Sequence, residues 1–334
     1  MVATVTGGTG YLGKRLVQEL IKKQVVRVFS NESWTGSELP NLRCILGDVR
    51  DYERVLEACA NADCVFHLAA QLPTSKLSNT TVWSINVDGT RNVLEASMKN
   101  NVRRVVYISS SSIYGIPSEV PCSEHSPKNP IGTYGRSKLM AERVCMEYVD
   151  KGLDVVVLRP MTIVGPGMKG VFRILFDWVK DDKTVYLIGN GSNRVQMVSV
   201  FDLVKACCLA AEEPAVAGQA MNVGSDNVPT VRELIQSLVK HAGSRSRIMS
   251  INPWFATIAL RFFHLAGLSP LVAEHYYLAN KDFILDTTRI KSLLNWKPLF
   301  SNVDMLNQAY DWFAQNTGAA YQYQGILSLV KLLS

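Results

Sequence analysis

The 334-residue sequence has no uninterrupted apolar run long enough to cross a bilayer. Its most apolar stretch, 248–260, is broken by Arg261 and His264, well short of the roughly 20 residues a spanning helix requires. An ordinary span is excluded, and surface contact with a membrane stays open. A basic leader with an apolar core and a cleavage site is also missing, since an apolar strand pattern starts at Val2; the expected compartment is the cytoplasm. The seven cysteines (Cys44, Cys59, Cys64, Cys122, Cys145, Cys207 and Cys208) are odd in number, scattered and without metal-ligand spacing. No metal centre or disulfide framework is expected, only buried thiols in a reducing compartment. Basic runs and basic patches interleaved with aromatics are absent too. The net charge of +6 is dispersed, which argues against nucleic acid and for a small phosphate-bearing anion as partner. There is no internal repeat and no low-complexity tract.

What is present is a large apolar fraction, 47%, enough for a substantial core in one large or two ordinary domains. The first half alternates short apolar runs with helical periodicity. Strands are predicted at 2–6, 25–29, 43–46, 64–68, 104–109 and 155–159, and helices at 12–22, 52–60, 86–98 and 134–149. That alternation implies an α/β fold, a Rossmann-type doubly wound parallel sheet of about seven strands. After Pro166 the rhythm breaks. The expected division is a dinucleotide-binding domain over 1–165 and a smaller C-terminal substrate-capping region over 166–334, with segments near 196–224 returning to the first domain.

The turn between the first strand and first helix reads Thr6-Gly7-Gly8-Thr9-Gly10-Tyr11-Leu12-Gly13. A turn poor in β-carbons lets backbone amides approach a pyrophosphate, and the helix N-terminus faces the anion. Gly7, Gly10, Tyr11, Leu12 and Gly13 are therefore expected to hold a dinucleotide. Asp48 and Val49 follow the third strand, and Leu68, Ala69 and Ala70 follow His67 at the end of the fourth; both groups lie at carboxyl ends of strands, where such sheets bind ligands. Asp48 is suited to accept from an adenine amino group, and His67 alone reads as a packing residue. The second strand ends at Ser30-Asn31 in place of a carboxylate that would bind ribose hydroxyls and repel a 2′-phosphate. This favours NADP, with NAD the alternative. Pro160, closing the strand at 155–159, completes the cofactor set together with Tyr134 and Lys138.

Tyr134 and Lys138 stand four apart at the start of a predicted helix, on one face. A phenol near pKa ~10 is a poor base at neutral pH, and an adjacent ammonium favours its phenolate. Ser110, in the run Ser109-Ser110-Ser111-Ser112 that ends the preceding strand, is the expected hydroxyl partner of a substrate oxygen, with Ser111 the second candidate for binding substrate. Tyr134, Lys138 and Ser110 thus form a candidate catalytic set for moving a hydride at a secondary alcohol.

Together TGGTGYLG at 6–13, GDVRD at 47–51, HLAA at 67–70, NVDGTRNVLEA at 86–96, SSSSIYG at 109–115, YGRSK at 134–138 and LRP at 158–160 resemble the extended short-chain dehydrogenase/reductase family, in its epimerase/dehydratase-like branch. The segments 198–205 and 221–224, and Asp286 with LNWKP at 294–298, look like that family's later landmarks. The resemblance implies an NAD(P)-dependent enzyme. The family's 4,6-dehydratases carry an Asp-Glu pair where this chain has Ser111 and Ser112, so the resemblance implies an epimerase of nucleotide-linked sugars instead. Thr162 stands where such enzymes usually have Asn, Arg194 is one residue off the usual phosphate-binding register, and an Arg-x-Gly-Asp signature is missing around Lys281-Asp282. Arg173, Asn193 and Arg194 are candidates for an anionic tail. The same regions are similar to 3β-hydroxysteroid dehydrogenase-like reductases of apolar substrates, for which Trp254, Phe255, Phe262 and Phe263 would form an apolar lid; 326–333 is comparably apolar. The alternatives are therefore a sugar-nucleotide epimerase, an apolar-substrate reductase and a non-catalytic dinucleotide sensor. By analogy with the family, helices 86–98 and 134–149 suggest a homodimer.

Overall fold

A computed structural model describes the chain apart from residues 37–38, 73–76, 169, 171, 255, 257–277 and 317–334. In chain order its strands are β1 (Val2–Thr6), β2 (Val25–Ser30), β3 (Leu42–Leu46), β4 (Cys64–His67), β5 (Arg104–Ile108), β6 (Val155–Pro160), β7 (Thr162–Val164), β8 (Val185–Ile188), β9 (Met197–Ser199), β10 (Ala220–Val223) and β11 (Ile248–Ile251). The α-helices are α1 (Tyr11–Leu20), α2 (Tyr52–Cys59), α3 (Asn79–Trp83), α4 (Gly89–Lys99), α5 (Thr133–Asp150), α6 (Phe172–Lys180), α7 (Val200–Glu212), α8 (Val231–His241), α9 (Thr288–Leu294) and α10 (Asn302–Asn316). Among the described residues no helix is long and apolar enough to cross a membrane.

Two units are distinguished. The first takes Met1–Ile163, Val198–Gly224 and Leu285–Leu299, and the second Val164–Met197, Ser225–Ile284 and Phe300–Ser334. The first contains a seven-stranded sheet in the order β10-β6-β5-β4-β1-β2-β3, with every neighbouring pair parallel. The order reverses at β1, so the carboxyl ends of β1 and β4 flank the crevice characteristic of such sheets. β4, β5 and β6 are buried along their whole length, as continuous apolar strands covered on both faces must be. One face packs Leu16 and Val17 of α1, Leu203 and Cys207 of α7, and Ile290 and Leu294 of α9. The other packs Val55 of α2, Val93 and Leu94 of α4, and Ala141, Val144 and Cys145 of α5.

Three features differ from the sequence expectation. Residues 285–299 belong to the first unit because Trp296 is fully buried there, its indole N–H donating to the Asp202 carbonyl at 3.0 Å. Cys44 is exposed, since β3 is the sheet edge, and Cys208 is half-buried; the other five thiols are buried. The predicted helix 86–98 begins as a π-helical turn, Ser84–Asp88, before α4. Such turns inside α-helices are frequent at functional sites.

In the second unit α6, α8, α10 and the parallel pair β8–β11 enclose their own core, with Phe176, Leu187, Leu238 and Leu306 buried in it. Phe176 meets Tyr310 edge-on at 5.7 Å between ring centroids. Residues 262, 263 and 326–333, and with them most of the predicted apolar lid, lie outside the described residues, as does the side chain of Phe255.

Candidate active site

β1 delivers the chain into the glycine turn, where the Gly7 N–H donates to the Phe29 carbonyl at 2.8 Å and the Gly10 N–H to the Gly7 carbonyl at 3.0 Å. Gly7 has φ of +69°, a conformation an L side chain avoids, and a Cβ there would meet Ala69 at 2.8 Å. A Cβ at Gly13 would lie 2.6 Å from Gly8 Cα, so α1 rests directly on the turn. Gly10 caps α1 with no side-chain acceptor, and the first turn holds no acidic residue. The helix therefore meets its orphan amides and positive dipole end with nothing of its own, and the tight, side-chain-free cradle fits a pyrophosphate. Leu12 is buried in the core, and burial raises the Tyr11 hydroxyl well above its ordinary range.

Beyond the turn, Ser30 is almost buried at the end of β2, its Oγ 2.6 Å from Thr9 Oγ1. Asn31 and Glu32 are exposed, and the Lys14 ammonium donates to Thr35 Oγ1 at 3.2 Å. Asp48 is engaged by Arg50: its carboxylate accepts from Arg50 Nε at 3.0 Å, Nη2 at 2.7 Å and the backbone N–H at 2.9 Å. The hydrogen bonds from Arg50 hold it below the usual carboxylate range. Adenine would have to share that carboxylate with Arg50. Val49 is buried, and its carbonyl accepts from Asn92 Nδ2 at 2.9 Å. Leu68 and Ala69 donate their amides to the Thr6 carbonyl and hydroxyl, at 3.2 and 3.3 Å, so the end of β4 is fastened to the end of β1. Pro160 is buried at the end of β6, in register with Val223.

His67 is fully buried between two hydroxyls. Nδ1 is 2.7 Å from Thr6 Oγ1 and Nε2 is 2.9 Å from Thr90 Oγ1. Thr90 gives its own proton to the Asn86 carbonyl, so it accepts from Nε2–H, and Thr6 donates to Nδ1. Burial, with the nearby Lys138 charge, pushes the ring down to about 3. It stays neutral and ties β1, β4 and α4 together, which suits a packing role.

β5 ends at Ile108 and leads into the serine run. Ser110 caps the 3₁₀ turn Ser111–Tyr114, its Oγ accepting from the Ser112 N–H at 3.2 Å. Ser111 is buried, and the hydroxyls of Ser109 and Ser112 are buried without a hydrogen-bond partner among the described residues. α5 starts directly against this turn: a Cβ on Gly135 would lie 2.7 Å from the Ser112 carbonyl oxygen. Tyr134, half-buried, is the second residue of α5. Lys138, one turn on, is 2% exposed and donates from Nζ to the Ile108 carbonyl at 2.6 Å. Burial pushes the amine down to about 7, against the opposing pull of Cys145 and Glu142. Ser110, Ser111 and the Tyr134–Lys138 helix turn therefore meet at the carboxyl end of β5.

Two buried groups that support this turn escaped the sequence reading. Asn86, in the π-helical turn, donates from Nδ2 to Ser137 Oγ at 2.9 Å and brackets the Gln71 backbone, accepting from its N–H at 2.7 Å. The Ser137 hydroxyl then donates to the Tyr134 carbonyl at 2.8 Å. Behind α5, Arg159 binds Glu142, and it also donates to Tyr114 Oη at 3.0 Å and the Glu124 carbonyl at 3.2 Å. Tyr114 in turn donates to Asn222 Oδ1 at 2.7 Å. The spacing of Glu142 four residues after Lys138 was the available signal, but no sequence pattern pairs it with Arg159.

The remaining predicted substrate residues are divided between the two units. Thr162 is exposed in the first unit. In the second, Arg173 on α6 lies 4.0 Å from Asp177, and Trp254 is 65% exposed. Asn193 donates from Nδ2 to the carbonyls of Ala279 and Lys281, both at 3.2 Å, and so braces a turn. Arg194 has an exposed side chain, and its backbone N–H donates to the Asp282 carboxylate at 2.7 Å, joining the two segments whose usual signatures are altered.

Known proteins share this architecture. The chain is 36% identical over 316 residues to the uncharacterized protein y4nG of Sinorhizobium fredii, covering 94% of this chain and 79% of that protein. It is 29% identical over 233 residues to the human decarboxylating sterol-4-alpha-carboxylate 3-dehydrogenase, covering 67% and 62% respectively. The crystal structure of the UDP-glucose 4-epimerase of Thermotoga maritima with UDP-glucose superposes with a TM-score of 0.78 at 26% identity, over 95% of this chain and 100% of that one. Residues 3–224, which contain the glycine turn, the serine run and the Tyr134–Lys138 helix, match the NAD dependent epimerase/dehydratase family, and the chain belongs to that family of extended short-chain dehydrogenases/reductases.

Proposed function

We propose that the protein moves a hydride at a secondary alcohol or ketone carbon of a nucleotide-linked sugar, as an epimerase and not a 4,6-dehydratase. The observation that carries this reading is the buried Lys138 ammonium at the end of β5, one helical turn from Tyr134 and behind the turn capped by Ser110. When bound, a nicotinamide dinucleotide supplies the hydride acceptor and donor. Tyr134 takes the hydroxyl proton of the substrate on its phenolate oxygen and returns it to the keto oxygen, and Ser110 Oγ–H donates to that same oxygen. Lys138, while charged, favours the phenolate. Serines at 111 and 112 provide no acid and base for removing water.

Gly7, Gly10 and Gly13 with the first turn of α1 would hold the pyrophosphate, and Thr9, Lys14, Ser30 and Asn31 the adenosine ribose. With no carboxylate closing β2, we assign NADP as the preferred form, with NAD as the alternative. A homodimer in the cytoplasm completes the reading; light scattering on the purified protein tests the dimer.

The deciding assay offers UDP-glucose, UDP-galactose and their N-acetyl forms. Interconversion without net change in cofactor absorbance supports the epimerase. A second reading, a reductase of an apolar ketone, is favoured by the sterol dehydrogenase relative and by the altered register at Arg194. It requires stoichiometric consumption of reduced cofactor. Cofactor binding with neither turnover would leave a dinucleotide sensor.

A further inference from the structure

Lys138 makes a contact that its place in the catalytic motif does not require. Its Nζ stands 4.2 Å from the centroid of the Tyr107 ring while donating to the carbonyl of the next residue, Ile108. Tyr107 is 1% exposed, and its hydroxyl lies near that of Thr90 without a hydrogen bond of ordinary geometry. The Thr90 hydroxyl is already committed to His67 and Asn86. The fixed feature that Tyr107 offers its neighbours is therefore its ring.

A buried ammonium with one hydrogen-bond partner among the described residues sits close to losing its proton. The groups around it are few. Glu142 and Cys145 on α5 favour its charge, but Glu142 is shared with Arg159 of β6. His67 on β4 packs against Tyr107 at 5.5 Å and is neutral, and Tyr134 lies close enough to Tyr107 for their charges to interact. A desolvated ring face supplies the missing attraction through its quadrupole.

The geometry points to Tyr107 as a positioning residue: its ring face and the Ile108 carbonyl together hold Lys138 charged and aimed along the helix face that carries Tyr134. This rests on the proposed role of Tyr134. Because burial already works against the charge and the ring and the Ile108 carbonyl are its contacts here, the loss of one attractive partner shifts the amine toward its neutral form.

The test uses the full chain and needs no turnover. The ultraviolet phenolate absorbance of each protein is titrated against that of its Tyr134→Phe counterpart, which isolates the ionisation of Tyr134. Tyr107→Phe keeps the midpoint. Tyr107→Leu, and a multiply fluorinated phenylalanine at position 107 that keeps the shape but weakens the quadrupole, raise it by about one unit. If the leucine variant does not fold, the fluorinated ring decides. An unmoved midpoint with the fluorinated ring, or a Phe variant as displaced as the Leu variant, overturns the proposal. Turnover surviving in Tyr134→Phe rejects the catalytic reading instead, whatever the titration shows.

Discussion

The guanidinium of Arg159 on β6 grips the carboxylate of Glu142 on α5 through three contacts, Nε to Oε1 at 3.0 Å and to Oε2 at 3.2 Å, and Nη2 to Oε2 at 2.8 Å, with both side chains buried. This fork fixes the helix that carries Tyr134 and Lys138 against the sheet. Arg159→Met leaves a carboxylate buried and unpaired, and is expected to cost about 3–5 kcal/mol in urea unfolding. Adding Glu142→Leu should recover much of the loss, since the uncompensated charge is gone. A single variant as stable as the parent would mean that the pair does not anchor α5.

Tyr134→Phe should lower turnover by at least about 10²-fold while leaving dinucleotide affinity nearly unchanged, because the ring still packs but no proton moves. Steady-state rates and fluorescence titration of the cofactor check both halves. Comparable turnover in the variant would remove Tyr134 from the chemistry.

Ser30→Asp places a carboxylate at the end of β2, where the serine hydroxyl now meets Thr9 at 2.6 Å. The ratio of NADP to NAD dissociation constants is expected to rise by about tenfold, equivalent to about 1.4 kcal/mol of added discrimination. Calorimetric titration with each dinucleotide measures it, and an unchanged ratio would show that this position does not select the cofactor.

His67 gives the fold a pH dependence of known sign. Its folded pKa is depressed from 6.5 to about 3, so between those values the unfolded chain binds a proton that the folded one refuses. The stabilising contribution is complete above pH ~6.5 and declines as pH falls toward 3, at about 1.4 kcal/mol per unit. Unfolding free energies at pH 7 and pH 5 should therefore differ by about 2 kcal/mol from this residue, a component that His67→Gln lacks. Identical pH profiles for the two proteins would refute it.

Much of the first unit was legible in the sequence because its information is local. The runs at 2–6, 104–109 and 155–159 are short, largely apolar and alternate with helical patterns, so they read as strands of a parallel sheet, and β1, β5 and β6 occupy those places. Gly7 and Gly13 announce themselves because a turn with positive φ, and a helix resting on it, tolerate no side chain. What stayed hidden depended on partners distant in sequence. Residues 285–299 join the sheet domain through the burial of Trp296 against Asp202, which no periodicity within 285–299 reveals. Cys44 lies in an apolar run yet is exposed, because only strand order makes β3 an edge.

By itself the sequence determined the alternation that makes a parallel sheet, the side-chain-poor turn before α1, and the spacing that puts Tyr134 and Lys138 on one helical face. These follow from backbone sterics and helical repeat, which act over a few residues. Only the tertiary structure decided that Lys138 is stripped of water against Ile108 and Tyr107, that Asp48 is held by Arg50, and that Arg159 anchors Glu142. Desolvation and charge pairing depend on what surrounds a group in space, so the strength of each base and acid was set by the folding of the chain around it.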